Sequence, residues 1–148
     1  MGLMRFQPLV FYPNATRPSR GRRLVATYPK DAESTFAFQV RVNGLPEVIR
    51  QFKLQSPDHK TEKRQVPKVW RFDFAWPAYS LIVEVQGGIW KRGGGAHSHP
   101  TDIIRNMHKQ NDAALAGFTV LQFTPEQVNE GEAMAFLKRV LATKGWNA

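Results

Sequence analysis

Apolar and polar residues change rhythm several times along this chain, and each change marks an element. Between Asp31 and Val42, Ala32, Phe36 and Val40 recur at every fourth position, as do Phe38 and Val42, and Asn43-Gly44 follows. That spacing predicts a helix ended by a C-cap. From Leu45 to Leu54 the rhythm shortens to two, with Val48, Arg50, Phe52 and Leu54 alternating against Ile49, Gln51 and Lys53. A first strand is predicted there. The polar stretch Asp58 to Arg64, with five charges, reads as the turn of a hairpin into a second strand, Val66 to Ala75. Alternation places Trp70, Phe72, Phe74 and Trp76 on one face, more suited to a core than to base stacking, and Asp73 on the other. A third strand, Ser80 to Gln86, runs Leu-Ile-Val and then Glu-Val-Gln.

Pro100 or Thr101 opens the next helix, with Asp102 in its first turn and Ile103, Ile104, Met107, Ala114 and Leu115 as its expected inner face. At 100° per residue Asn111 falls within that face and Gln110 at its edge, while Lys109 projects nearly opposite, toward water or a ligand. Gly117 closes the helix, and Phe118 to Phe123 is a strand by its β-branched and aromatic content. Thr124-Pro125-Glu126-Gln127 carries a cap, a proline for the first helical position and a glutamine three residues after the threonine, so a helix starts there. Met134, Leu137, Val140 and Leu141 continue an amphipathic helix from about Glu130 to Thr143, ended by Gly145. Three strands in succession, then helix, strand and helix, imply an α/β sandwich with a mixed sheet. Its first three strands form an antiparallel meander and its fourth runs parallel to one of them.

Charge narrows the partners. Lys and Arg number 21 against 12 Asp and Glu among 148 residues, and the pI is about 10.3, a balance that favours polyanions over neutral small molecules. Arg5, Arg17, Arg20, Arg22, Arg23 and Lys30 all precede the first acidic residue, Asp31, and Pro8, Pro13, Pro18 and Pro29 lie among them. Residues 1–30 therefore read as a basic arm that either follows a phosphate backbone or is a solvated tail, ahead of one domain at 31–148. The chain has no cysteine, which excludes disulfides and thiolate zinc sites and is compatible with a reducing cytoplasm. No apolar run suggests a signal peptide or a membrane partner.

The candidate chemistry lies in the second and third strands. Asp73 and Glu84 are carboxylates set into apolar strands, and an unpaired buried charge is costly unless a counter-charge answers it. Asp73, Glu84 and the carbonyl of Val85 make an all-oxygen set of the kind Mg²⁺ or Mn²⁺ prefers. Next comes a loop too rich in glycine for a regular element, Gly87-Gly88 through Gly93-Gly94-Gly95, carrying Trp90, Lys91, Arg92, His97 and His99. Its charges are positive, which suits phosphate.

Asp73, a spacer of about ten residues and then Glu84-x-Gln86 resembles the catalytic hairpin of the PD-(D/E)XK nucleases, with glutamine where the commonest pattern has lysine. The order GGIWKRGGGAHSHP, a helix carrying HKQND, and AGFTVLQFTPEQV sharpens the resemblance. It is similar to small restriction-endonuclease-like proteins related to the very-short-patch-repair endonucleases, often found in phages and prophages. The resemblance covers about Asp31 to Leu141. It implies a restriction-endonuclease-like α/β/α sandwich with a mixed central sheet, Mg²⁺ or Mn²⁺ as cofactor, DNA as partner and hydrolysis of phosphodiester bonds. By the same resemblance Glu33, Asp73, Glu84, Gln86 and His97 are catalytic candidates, with Asp73, Glu84 and Val85 as metal ligands. Arg20, Arg22, Arg23, Lys91, Arg92 and Lys109 are candidate DNA contacts, the last paired with Asn111 as Lys109-x-Asn111. Asn106 stands where close relatives would carry an acid, for which Asp102 is a possible substitute. Two rival readings are a catalytically inactive relative, which the Lys-to-Gln departure supports, and a simple basic nucleic-acid-binding protein whose acids pair with its arginines. A homodimer stays open, and the expected compartment is the cytoplasm, that of a host cell for a phage protein.

Overall fold

A computed structural model describes residues 31–86 and 100–148 of the chain. The expectations for Arg20, Arg22 and Arg23 in the arm, and for Lys91, Arg92, His97 and His99 in the glycine-rich loop, fall outside the described residues.

Helix α1 (Ala32–Val42) starts where Asp31 accepts the Ser34 N–H at 2.7 Å, a side-chain N-cap that supplies one of the acceptors a helix start lacks. Asn43 and the left-handed Gly44 (φ 64°) end it as expected. Strand β1 (Ile49–Lys60) begins and ends later than the alternation suggested. The hairpin therefore turns at residues 61–66 rather than at Asp58 to Arg64. Strands β2 (Pro67–Trp76) and β3 (Leu81–Val85) are joined by a single 3-10 turn at Pro77–Tyr79. Helix α2 (Pro100–Leu115) then crosses over to β4 (Thr119–Phe123), which pairs parallel to β3. The last predicted helix is divided in two by the left-handed Gly131 (φ 80°), giving α3 (Pro125–Asn129) and α4 (Glu132–Thr143). Thr124 and Gln127 form the expected capping box at the start of α3.

The sheet order is β1-β2-β3-β4, with β1, β2 and β3 antiparallel and β4 parallel to β3. One face packs Phe74, Trp76, Leu81, Val83 and Phe123 against α1, α3 and α4 through Phe36, Val40, Val128, Met134, Leu137 and Leu141. The other packs Trp70, Phe72, Ala75 and Ile82 against Ala113 of α2. This is the α/β sandwich with a mixed central sheet that the order of elements implied. Among the described residues no helix is long and apolar enough to cross a membrane.

Two expectations are corrected. The aromatic row does not share one face: Trp70 and Phe72 lie under α2, whereas Phe74 and Trp76 lie under α1 and α4. The cause is an irregularity shared by two strands. In the β1–β2 register Arg50 pairs with Phe74 and Phe52 with Phe72, but Gln51 and Asp73 between them do not pair, and Gln51 has φ 51°. A non-glycine residue in that region costs about 1–2 kcal/mol. Here it reverses which face the next side chain takes.

Helix α2 is also turned over relative to the expectation. Ile103, Ile104, Met107 and Leu115 are exposed, while Asp112 and Ala113 are its buried residues and Lys109 and Gln110 are half-buried. Polar partners on the sheet explain the reversal. Asp112, 2 % exposed, accepts from Trp70 Nε1 at 2.5 Å, from Ser56 Oγ at 2.5 Å and from His59 Nδ1 at 2.8 Å. Burial alone would raise its pKa, yet hydrogen bonds from Ser56, Trp70 and His59 together hold it below the ordinary 3.8. Had the apolar stripe faced the sheet, the Trp70 indole and the Ser56 hydroxyl would have lost this acceptor, at about 1–3 kcal/mol each.

A carboxylate with a lowered native pKa contributes stability that is present above its unfolded value and lost as pH falls through the native one. Asp112→Asn should therefore destabilise the protein at neutral pH by about 3 kcal/mol, since an amide cannot accept from three donors and brings donors of its own. Urea unfolding of parent and variant should show this gap narrowing once the pH drops below 3.8, the ordinary Asp value.

Candidate active site

The two strands that carry the carboxylates part company where they need to. Strands β2 and β3 pair at Phe74 with Val83, Ala75 with Ile82 and Trp76 with Leu81, and the ladder stops before Asp73 and Glu84. In place of a backbone bond, the Val85 N–H donates to Asp73 Oδ2 at 2.8 Å. The carboxylate thus props the gap open, and Asp73, unpaired on its β1 side too, is free to face the end of the sheet.

Glu84 comes from the α2 face, next to Ile82 in alternation, and is 7 % exposed. Its Oε2 accepts from Lys109 Nζ at 2.6 Å and its Oε1 from Gln110 Nε2 at 3.1 Å. Lys109 also lies over the Phe72 ring, 4.3 Å from the centroid, so its charge is held by a carboxylate and an aromatic face together. Its expected direction, outward from the helix to DNA or water, is therefore corrected. Lys109 does sit opposite the apolar stripe, but that side of α2 is the one turned to the sheet. Asn111, expected on the inner face, is exposed.

Glu33, in the first turn of α1, accepts from Arg50 Nη2 at 3.0 Å and from Gln51 Nε2 at 2.9 Å. It sits close enough to Asp73 for its charge to be felt there. Gln86 is half-buried, and its N–H donates to the Phe123 carbonyl at 2.8 Å, which anchors the end of β3 to β4. The structure thus gathers Glu33, Asp73, Glu84, Val85 and Lys109 where β3 ends beside the middle of β2, with Gln86 next to them. Asp102 and Asn106 are exposed on α2, and Asn106 shares a surface cleft with Gln110, the neutral partner of Glu84.

Both strand carboxylates are pushed up from their ordinary pKa values. For Asp73 burial is the largest cause and the charge of Glu33 adds to it, against the Val85 N–H and the charges of Lys109 and Arg50. For Glu84 burial again leads, with Asp73 adding, and Lys109 and Gln110 only partly offset it. One cation is therefore shared between two acids, and Asp73 receives a neutral backbone donor. The pair still lacks positive charge.

Fit to a divalent ion follows from the donor types. Asp73, Glu84 and the Val85 carbonyl are hard oxygen donors, and Mg²⁺ is commonly held by one or two carboxylates while keeping several waters. Among the described residues no group of three or more His, Cys, Asp or Glu side chains is placed to hold an ion, so a site here rests on two carboxylates, not a closed cage.

Two features of this centre were missed in the sequence. The inward Lys109 was hidden because periodicity assigns the buried side of a helix by hydrophobicity, and this helix buries its polar side. Asp112 carried a signal that could have been read, an acid three residues from Lys109 on one helical face, yet its partners Ser56, His59 and Trp70 lie 42 to 56 residues away in the chain.

No model of a known protein family matches the chain, and no curated protein matches it. Among solved structures, the chain is similar to the catalytic domain of the homing endonuclease I-Bth0305I, with a TM-score of 0.49 and 13 % sequence identity over 80 % of this chain and 100 % of that one.

Proposed function

We propose that this chain is a metal-dependent DNA endonuclease that hydrolyses phosphodiester bonds, with its centre at Asp73 and Glu84. The observation that carries this reading is geometric: Asp73 and Glu84 stand at a break in the β2–β3 ladder, Asp73 on the Val85 N–H and Glu84 on Lys109 and Gln110, and burial pushes both carboxyls up. A purely structural pair would have been neutralised, because an uncompensated buried charge destabilises the fold. Carboxylates perturbed in this way cluster at functional sites, and a divalent cation between them would supply the missing charge. Bound there, Mg²⁺ or Mn²⁺ would polarise a phosphoryl oxygen and help generate hydroxide from water.

Lys109 is the residue that completes the centre from this chain's own side. Gln86 stands where the nuclease pattern has lysine, and an amide neither titrates in the useful range nor carries charge. Lys109 reaches Glu84 from α2, and with a divalent ion held by Glu84 its ammonium would be available to negative charge on the phosphoryl oxygens. Gln86 then orients water. His97 accepts or returns a proton, and Glu33 tunes Asp73 through its charge. Arg20, Arg22, Arg23, Lys91 and Arg92 are proposed phosphate contacts.

The second reading, a relative that binds nucleic acid without cutting it, is favoured by the same ion pair, since Lys109 already answers part of the Glu84 charge. Cleavage of plasmid DNA with Mg²⁺ or Mn²⁺ and none in chelator decides between the two. Under the nuclease reading Lys109→Met should lower the cleavage rate about 10²–10³-fold, the usual cost of one charge-stabilising donor. Thermal stabilisation by Mn²⁺ should be kept, because Lys109 competes with the ion for Glu84. Loss of that stabilisation would make Lys109 a structural support instead.

The raised acids predict a pH signature. The folded state holds protons at Asp73 and Glu84 more tightly than the unfolded chain, so their contribution is most favourable at low pH and is lost as pH rises from 3.8 and 4.5 through the raised native values. In chelator, Asp73→Asn, whose amide oxygen can still accept the Val85 N–H, should gain melting temperature relative to the parent as pH rises through that window. Mn²⁺ should stabilise the parent more than the variant. Equal stabilisation of both would remove Asp73 from the metal site.

A further inference from the structure

A second cluster lies on the other flank of α2, beyond the acids. The imidazole of His59 is held through Nδ1 by the buried Asp112, which leaves Nε2 as the nitrogen available to a ligand. The His59 backbone N–H is also tied, to Ser56 Oγ at 2.6 Å, so the ring is fixed at both ends. His108 of α2 lies beside it with ring centroids 4.3 Å apart. Both line a cleft of about 690 Å³ with Lys60, Lys63, Arg64 and Lys68, and one acid, Glu62.

The turn that carries these cations is fixed, although Lys60, Lys63 and Arg64 themselves are exposed. The hairpin tip is closed by Thr61 N–H to Val66 O at 2.8 Å and Gln65 N–H to Thr61 O at 2.9 Å, with Gln65 in the left-handed region at φ 52°. Lys68 lies over the Trp70 ring, 4.4 Å from its centroid, and Trp70 in turn donates to Asp112. Among the described residues the Lys and Arg ion pairs are Arg50 with Glu33 and Lys109 with Glu84, so Lys60, Lys63 and Arg64 form no ion pair there. A cleft of this kind offers N–H donors and positive charge together, the combination that binds phosphate oxygens. Its lining argues against a cation as ligand.

Resting on the reading of the chain as a DNA-acting protein, we propose that the cleft between the β1–β2 hairpin tip and α2 seats a backbone phosphate of the DNA, away from the scissile one. His108 supplies a ring N–H donor beside the fixed ring of His59, and Lys60, Lys63, Arg64 and Lys68 supply charge. His108 and Lys109 are consecutive residues of α2, so this one helix separates the phosphate cleft from the acidic centre. A strand lying across α2 would meet both, and the clamp would set which phosphate arrives at Asp73 and Glu84.

Duplex binding by the full chain, measured by fluorescence anisotropy in chelator between about 50 and 200 mM salt, tests this. Lys63→Gln with Arg64→Gln, both exposed, should weaken binding at least about tenfold and flatten the log-log salt slope by roughly 1.8, two contacts at 0.9 each. His108→Gln should weaken binding without removing the Asp112 network. Thermal stabilisation by Mn²⁺ should be unchanged in both, because the acidic centre is untouched. Unaltered affinity and slope would overturn the proposal, as would a loss of Mn²⁺ stabilisation in step with DNA affinity. Imidazole resonances of His59 that move with inorganic phosphate but not with duplex would make the cleft a small-anion site and overturn its role on DNA. Hairpin-dependent duplex binding without cleavage in Mg²⁺ or Mn²⁺ would defeat the nuclease reading and leave this one standing.

Discussion

Asp112 is the constraint on which the arrangement of this protein turns. It is a buried acid in the middle of α2, and its three donors come from both strands of the hairpin: Ser56 and His59 on β1 and Trp70 on β2. Satisfying it requires the polar side of α2 to face the sheet. That orientation in turn brings Lys109, one helical turn earlier, onto Glu84. Without Asp112 the exposed stripe of Ile103, Ile104, Met107 and Leu115 would be the better face to bury, at about 25 cal/mol for each Å² of apolar surface removed from water. Turning that face inward would strand the donors of Ser56, His59 and Trp70, at about 1–3 kcal/mol each.

The second constraint is the irregularity that Gln51 and Asp73 share. A strand that kept its alternation would have sent Asp73 into one of the two cores, where a carboxylate has no place. Reversal of the faces at this level instead gives Phe72 to the α2 side and Phe74 to the α1 side, and leaves Asp73 between them where the β2–β3 ladder stops. The strain of the left-handed Gln51 is offset in part by its side chain, which donates to Glu33. Strain of this kind concentrates where geometry must be held for a purpose. Here it holds a carboxylate beside a second one across a gap in the ladder.

Charge is partitioned across α2. On one flank, carboxylates outnumber cations and burial raises their pKa values. On the other, cations outnumber acids around two imidazoles. Under the proposed function, a polyanion carrying a divalent ion would be drawn to the first and clamped by the second. The excess of basic residues in the whole chain then acts as a long-range attraction, weakened by salt, and the acidic centre acts only at contact.

Local chemistry sufficed for much of the fold. The Asn43-Gly44 stop and the Thr124-Gln127 capping box depend on neighbours within four residues, so they are legible in sequence. The mixed sheet follows from the order of elements and the handedness of crossovers. The acids at Asp73 and Glu84 stood out because they interrupt apolar strands. What the tertiary structure alone decided was orientation. Periodicity says that a helix has two unlike sides, but only distant partners choose which is buried, and α2 chose the polar one for Asp112. Alternation likewise assumes an unbroken strand, whereas the face of Phe74 depends on the backbone of Gln51 across the hairpin. Lys109 therefore moved from the expected outer surface to the centre of the site, for a reason carried by residues some forty to fifty-six positions away.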